Sequence, residues 1–258
     1  MNVNGYELEP GANLEGANLE GADLSRAILY AANLTRANLS GANLTRANFA
    51  GANLTEAILT ESNPQLGVNP KGADLNGNFT GAGTIFEGAN LTKANLSQAK
   101  MQYANFANAN LNGANLSDTN LYTADLYRSN LSDADLTRAY LYHAILFGTD
   151  LRNSDFTDAD LRDADLTDAN LSFSTLCNAN FSKAVLYRAN LINANLNKAQ
   201  LKDVHLNHAD LTNADLTGAN LYAADLRDAN MTNANLTKIR LRFTKLTGAM
   251  MPDGSIHE

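Results

Sequence analysis

The sequence predicts an all-β fold in which the chain winds into a parallel β-solenoid. Three observations predict it: a large apolar residue recurs every five positions, a small residue stands two positions before it, and Asn or Asp stands between them. The apolar residue recurs from Leu14 to Leu59 and again from Phe86 to Leu246, which gives ten repeats and then 33 repeats. Of these central residues, 36 are Leu, five are Phe and two are Met.

The five-residue period predicts a coil because it fits neither regular element. On an α-helix the central residues would step around the axis and form no apolar stripe. On a flat strand, residues five apart point to opposite faces, so half of them would meet water. Burying all of them requires the chain to turn toward the same side after each repeat. One coil cannot enclose a core, so we expect the coils to stack through parallel β-ladder hydrogen bonds.

The other two regular positions of the repeat also fit this geometry. The small residue is Ala in all ten repeats of the first run and in 24 of the 33 repeats of the second, so the interior receives one large side chain per repeat. We expect the Asn or Asp, here called the pre-central residue, to hydrogen-bond the nearby backbone at each corner, as these residues do in turns.

Runs such as ANLTRANLSGANLTRANFAGANL and DADLRDADLTDANLS resemble the A-(D/N)-L-x-x signature of the pentapeptide-repeat family, and the Ala-Asn-Leu-rich repeats look like cyanobacterial members. The resemblance implies a right-handed, four-sided (quadrilateral) parallel β-solenoid with about four repeats per coil. At a coil spacing of about 4.8 Å, about 11–12 coils would form a rod roughly 55 Å long.

The regular pattern is interrupted once, which divides one continuous structural domain into three parts. Residues 1–60 are predicted to be an N-terminal capping segment and the first solenoid block, and residues 86–258 a second, uninterrupted block with a C-terminal cap. Between them, Pro64, Gly67, Pro70 and Gly72 predict an extruded loop at 61–72, followed by one imperfect coil at 73–85. The loop is either a tolerated insertion or a contact for a partner.

Composition narrows the classes of function. The net charge of −8 argues against direct binding of nucleic acid or of an anionic membrane, both of which need basic surface. Cys177 is the single cysteine, which favours a reducing compartment. The N-terminal sequence lacks the features of a signal peptide, and no apolar run approaches the ~18 residues of a membrane helix. These features predict a cytoplasmic protein.

The sequence predicts no enzyme, no cofactor and no metal site. Asp135 and Asp155 would stack one coil apart, but this spacing recurs wherever Asp is the pre-central residue. His205 and His208 flank one Leu without a third ligand at suitable spacing, and no His is placed to activate Cys177. An acidic belt leaves cation binding open; it consists of Asp150, Asp155, Asp158, Asp160, Asp163, Asp165 and Asp168.

Stacking the second block with a period of 20 gives four columns of central residues, headed by Leu91, Leu96, Met101 and Phe106. Ten aromatic residues of this block are not central, and nine of them fall on the adjacent Met101 and Phe106 columns. The pre-central residue departs from Asn or Asp in ten repeats, and nine of these lie on the same two columns. Tyr and Arg are enriched at protein interfaces.

We therefore expect these two columns to carry a protein-binding surface. Its predicted residues are Tyr103, Tyr122, Tyr127, Tyr140, Tyr142, Phe147, Arg162, Tyr187, Lys202, Tyr222, Arg227 and Arg242. The alternative is that the aromatic side chains stack from coil to coil and only stabilise the rod.

The predicted function is a non-catalytic protein-binding or scaffold solenoid, with an unknown protein partner and with self-association through the end coils left open. The alternative is a DNA mimic that binds or protects a type II topoisomerase, as some relatives do. The rod shape, the net charge and the acidic belt favour mimicry. Duplex DNA, however, carries about one charge per 1.7 Å, and a charge of −8 along the predicted rod is several-fold sparser.

Overall fold

A computed structural model describes residues 2–62 and 83–258. The chain begins with a short antiparallel hairpin of β1 (Asn2–Val3) and β2 (Tyr6–Glu7). Every further pairing in the described part of the chain is a single-residue bridge, one per repeat. The chain is therefore extended for only one residue at a time before it turns.

The bridges stack the chain in parallel with a register of 20 residues. Asn90 pairs with Asn110, and Asn110 pairs with Asn130. The backbone N–H of Leu91 donates to the carbonyl of Asn110 (2.7 Å), and the N–H of Asn110 donates to the carbonyl of Ala89 (2.9 Å). Twenty residues contain four repeats, so the predicted parallel β-solenoid is confirmed and the four predicted columns are those of the ladder.

The core consists of the central residues and the small residues that precede them. Leu136 and Leu166 are fully buried, and so are Ala134 and Ala164. Buried residues form one hydrophobic cluster that extends from Leu8 to Ala249. The period of five thus brings the central side chains to one axis, where close packing excludes water.

Each repeat turns at the two residues after its central residue. In the repeat of Phe86, the N–H of Ala89 donates to the carbonyl of Phe86 (2.9 Å), and Gly88 has a φ of 63°. A positive φ at the third position of a four-residue turn is typical of a type II turn. Gly, Asn and Asp recur at this position because they adopt positive φ at low cost.

The pre-central residue makes the predicted contact with the backbone. The Oδ1 atom of Asn90 accepts a hydrogen bond from the N–H of Thr92 (3.1 Å), and Asp135 does the same for Thr137 (2.9 Å). In the Leu91 column, the Asn110 side-chain amide also donates to Oγ1 of Thr92 in the preceding coil (3.0 Å). Polar side chains therefore tie each repeat to itself and to its neighbour.

The two blocks join without a coil between them. Asn48 pairs directly with Ile85, Asn53 with Asn90, and Ile58 with Asn95. Residues 83–85 therefore rejoin the ladder directly above the first block, and none of the described residues lies between these partners. Most of the predicted loop and coil, residues 63–82, lies outside the described residues.

The two ends are covered differently. At the N-terminal end, the hairpin packs on the first coil, where the Tyr6 hydroxyl accepts a hydrogen bond from the N–H of Asn18 (3.3 Å). At the C-terminal end, the tail folds back so that Ile256 pairs antiparallel with Met250. This pairing covers the Leu91 column, whereas Leu241 and Leu246, which end the Met101 and Phe106 columns, remain partly exposed.

Candidate functional site

Four of the predicted tyrosines lie together on the Met101 column. Tyr103, Tyr122, Tyr140 and Tyr142 come from three successive coils and are each half-buried. The Tyr122 ring is at the centre: its centroid lies 5.5 Å from that of Tyr103, 6.2 Å from that of Tyr140 and 5.8 Å from that of Tyr142. We call these four residues the tyrosine cluster.

Two further side chains border the tyrosine cluster. The His143 ring lies 4.1 Å from the Tyr142 ring, centroid to centroid. The Arg162 guanidinium lies over the Tyr142 ring at 5.2 Å, which is a cation–π distance. Arg162 is held there by Asp160, whose carboxylate accepts bonds from Nε (2.8 Å) and from a terminal guanidinium nitrogen (2.6 Å).

The cluster is polar at its edges and apolar inside. Burial raises the pKa of Tyr103 and of Tyr140 above the ordinary value for tyrosine, so both phenols stay protonated at neutral pH and keep their hydrogen-bond donors. The hydrogen bond to Asp160 raises the pKa of Arg162 further above its usual range. A surface with fixed rings, phenolic donors and one cation suits recognition of another protein.

The Phe106 column carries two smaller groups. The rings of Tyr127 and Phe147 stack at 5.7 Å, with Arg128 over Tyr127 at 5.1 Å. Two coils further on from Phe147, Tyr187 contacts the His208 ring at 5.4 Å and lies 5.4 Å from the Arg188 guanidinium. None of the ring contacts in the described chain joins Tyr187 to the tyrosine cluster.

The last predicted residues form a third region near the C-terminal end. Tyr222 meets the Phe243 ring edge to face at 5.4 Å, and the Lys202 amine lies 5.8 Å from the Tyr222 ring. Arg242 lies over Phe243 at 4.8 Å. Arg227 is instead paired with Asp225 on the Phe106 column. The twelve predicted residues thus form separate groups along two faces.

Two exposed apolar residues of the first block belong to the same faces. Ile28 is 59% exposed and Tyr30 is 55% exposed, and both belong to the Phe106 column through the pairing of Ile28 with Asn48. The predicted surface comprises only residues of the second block and therefore omits both. Departures from Asn or Asp at the pre-central position also mark Ile28 in the first block and, on the Leu96 column, Ile58.

Arginine pairs neutralise part of the acidic belt. Arg152 binds Asp150 and Arg162 binds Asp160, each with two hydrogen bonds within one repeat, and Arg188 binds Asp168 from the next coil. The Arg152 hydrogen bond lowers the pKa of Asp150 below its ordinary value. Within residues 2–62 and 83–258, no group of three or more potential ligands is placed to hold a metal ion.

The remaining candidate reactive residues, Asp135, Asp155 and Cys177, lie in environments that serve the fold. Asp135 and Asp155 pair through their backbones, and each carboxylate accepts a hydrogen bond from its own repeat. Burial raises the pKa of the Cys177 thiol, and Asp155 acts in the same direction, which disfavours a reactive thiolate. Among the described residues, no helix is long and apolar enough to cross a membrane.

Comparison with known protein families gives one match. The family model described as "Pentapeptide repeats (8 copies)" matches residues 11–63 and 76–253 in overlapping segments. A comparison with curated proteins finds no significant match.

Solved structures of repeat proteins resemble the chain. HetL, a pentapeptide repeat protein involved in heterocyst differentiation regulation from the cyanobacterium Nostoc sp., is 33% identical, and the alignment covers 98% of this chain and 94% of HetL with a TM-score of 0.31. Rfr23 from the cyanobacterium Cyanothece is 27% identical over 47% of this chain and 58% of its own (TM-score 0.22). QnrB1, a plasmid-mediated fluoroquinolone resistance protein, is 18% identical over 77% and 88% (TM-score 0.35).

Proposed function

Because this chain belongs to the pentapeptide-repeat family and is of the cyanobacterial type, we propose that it is a non-catalytic binding or scaffold protein. Its partner is a protein that docks on the faces formed by the Met101 and Phe106 columns. The tyrosine cluster is the observation that carries this proposal, because it concentrates four interface-type side chains from three successive coils on one face of the rod.

Stability alone does not account for the cluster. Where the pre-central residue is Asn or Asp, its side chain accepts a backbone hydrogen bond, as Asn120 does from the N–H of Tyr122 (3.1 Å). Tyr140 stands at this position one coil later and offers no such acceptor to the N–H of Tyr142. This repeat therefore has an aromatic ring at the position where other repeats have a hydrogen-bond acceptor for the backbone. We attribute this replacement to recognition of a partner.

Mimicry of DNA remains the alternative function, with binding or protection of a type II topoisomerase. The acidic belt supports it, but three of the seven carboxylates in the belt are bound by Arg152, Arg162 and Arg188. Ion pairing reduces the local negative potential that mimicry requires. A DNA gyrase supercoiling assay with and without the protein tests this alternative, and an unchanged reaction at micromolar protein argues against it.

The test of the proposed function is an affinity pull-down from a lysate of the native organism. The bait is the wild-type chain or the triple variant Y122S/Y142S/Y187S. The matched control is F173S, because Phe173 is an aromatic residue that is 60% exposed and lies on the Leu91 column. We expect a partner to be recovered with the wild type and with F173S, and to be lost with the triple variant. Equal recovery with all three baits contradicts the proposal.

The same proposal includes the finer features of the rod. We infer four sides and about 11–12 coils, which the register of four repeats per coil supports, and a right-handed coil, which membership of the pentapeptide-repeat family supports. We also infer that both blocks act as one structural domain and that the protein works in a reducing compartment, which the single cysteine favours.

A further inference from the structure

Three repeats contain the same ion pair between their pre-central residue and the residue after their central residue. In each, Asp is followed by Leu and Arg, and Nε and a terminal nitrogen of the Arg bind the two oxygens of the Asp at 2.8 and 2.6 Å. The pairs are Asp150–Arg152, Asp160–Arg162 and Asp225–Arg227. We call this arrangement the Asp–Leu–Arg clasp. It shows that the two positions project to the same side and are spaced for a bidentate carboxylate–guanidinium contact.

One repeat replaces the carboxylate of the clasp with a second guanidinium. Its sequence is Arg240-Leu241-Arg242, on the Met101 column. In the part of the chain that the structure describes, no carboxylate lies within ion-pair distance of Arg240 or Arg242. Two like charges on one short segment repel each other, and the Oδ1 acceptor that normally binds the backbone of this repeat is missing as well. The repeat gives up two local interactions and keeps two unpaired cations.

The two arginines line a shallow groove with residues of the two preceding coils. Its other lining residues are Lys202, Asn220, Tyr222 and Leu241. The Lys202 amine contacts Asp203 at a long 3.7 Å. The groove therefore presents two guanidinium groups, an amine, an amide and a phenol on a protein whose net charge is −8. Phe243, which is 62% exposed, forms an apolar edge beside Arg242.

The groove lies on the last coil that the structure describes. In preceding coils the N–H of the central residue donates to the next coil, as that of Leu221 does to the carbonyl of Arg240 (2.9 Å). Within residues 2–62 and 83–258, no following coil covers Leu241, and the returning tail pairs with Met250 on another column. The described residues therefore leave the groove accessible from the side and from this end.

We propose that the Arg240–Arg242 groove is a binding site for an acidic segment of a partner protein, in which an Asp or Glu carboxylate takes the place of the clasp carboxylate that this repeat lacks. The same kind of contact occurs three times within this chain, because in each clasp the Arg after the central residue binds a carboxylate. Lys202 holds a second acidic residue of the segment, and Phe243 and Tyr222 contact an apolar neighbour. The site lies on the recognition faces proposed above and rests on that function for its biological use, but the tyrosine cluster takes no part in it.

The test uses the full chain and a fluorescein-labelled peptide with the sequence EEFEDE as the probe. The variant R240D restores the sequence of the clasp and removes the unpaired cations, and the double variant R240Q/R242Q removes them without adding a carboxylate. K93D is the matched control for charge: it changes the net charge by the same amount as R240D, Lys93 is exposed on the Leu91 column far from the groove, and its φ of 56° is a conformation that Asp tolerates. Circular dichroism verifies that each variant is folded.

We expect R240D and R240Q/R242Q to weaken binding of the peptide at least about tenfold in fluorescence anisotropy, since each removes a charge-assisted contact. K93D should bind like the wild type at 0.15 M salt, where charges beyond about 8 Å are screened. An equal loss with K93D, or no binding by the wild type, overturns the proposal. So does a rise in melting temperature with millimolar inorganic phosphate together with undetectable peptide binding, which would identify a phosphate site. Failure of the pull-down with the tyrosine variants leaves these measurements unaffected, so the two proposals are tested separately.

Discussion

Phe49 and Phe86 stack face to face, with ring centroids 5.3 Å apart, where the second block stacks directly on the first. Phe106 continues the stack at 4.8 Å from Phe86. These three fully buried rings fill the Phe106 column where the first block meets the second. The core is therefore continuous across the interruption, and Phe86 has an aromatic neighbour on each side.

Truncating this middle ring should destabilise the junction. We expect F86A to lower the free energy of unfolding by about 3–5 kcal/mol, since it leaves a cavity between two rings that the ladder holds in place. F173A should change it by less than about 0.5 kcal/mol, because Phe173 is exposed. Guanidinium denaturation followed by circular dichroism measures both. Similar midpoints for F86A and the wild type would contradict a packed junction.

Removing the interruption should preserve the fold. Replacement of residues 63–82 by Asn-Leu-Thr places a regular repeat between Ser62 and Gly83, in register with Asn43 below and Lys100 above. We expect an unchanged circular dichroism spectrum and a melting temperature at least equal to that of the wild type, because a shorter connection costs less entropy to close. The same variant in the pull-down distinguishes a tolerated insertion, with the partner retained, from a contacting loop, with the partner lost. Unfolding of the variant would contradict the direct pairing of the blocks.

The tyrosine cluster should matter more for binding than for stability. Y122S/Y142S should lower the free energy of unfolding by about 0.5–1.5 kcal/mol for each ring pair lost, while the central residues beneath keep the core intact. Thermal denaturation of the variant beside the F173S control measures this. If the variant is instead unfolded at 25 °C, as shown by loss of the circular dichroism signal, the result would favour the interpretation that the rings only stabilise the rod.

The Asp225–Arg227 clasp predicts a pH-dependent contribution to stability. The Asp225 side chain is only 8% exposed, and the hydrogen bond from Arg227 lowers its pKa below the ordinary value. A depressed pKa in the folded state stabilises the fold fully above the unfolded value of about 3.9, and this stabilisation is lost as the pH falls toward the folded pKa. R227A should therefore cost about 1–3 kcal/mol at pH 7 and less below about pH 4.

Denaturation of R227A and the wild type at pH 7 and at pH 3 measures this difference. R152A is the comparison, because Asp150 is more exposed at 30% and its pair should contribute less than about 1 kcal/mol. A cost for R227A that stays constant over this pH range would mean that packing of the arginine stem, and not its charge, stabilises the repeat.

The fold could be predicted because burial imposes one simple condition on every repeat. The placement of Leu136 and Leu166 on the axis follows from the period alone. The hydrogen bond that the Asp135 carboxylate accepts from the backbone of its own turn follows from the preference of Asp for such contacts. The junction could not be predicted in this way. An interval that holds neither a clear repeat nor a clear break does not show where the ladder resumes, and the pairing of Asn48 with Ile85 is visible only in three dimensions.

The candidate surface could be predicted as a pair of faces but not as separate groups. Column membership depends on sequence position, which places Tyr122 and Tyr142 one above the other. Whether rings touch depends on their rotamers and on the residues between them, so the separation of Tyr187 from the tyrosine cluster is visible only in three dimensions. The pairing of Arg227 with Asp225 likewise needs side-chain geometry to be distinguished from the unpaired Arg242.

The 20-residue register also determines how such a chain can change in length during evolution. Duplication of a whole coil lengthens the rod and leaves every later side chain facing the same direction. Gain or loss of a single repeat moves each later residue to the next column, so the face that carries Tyr122 would no longer continue into the one that carries Tyr222. The junction obeys this rule, because Ile85 returns to the column of Asn48. Only insertions or deletions of whole 20-residue coils therefore keep a surface of this protein continuous along the rod.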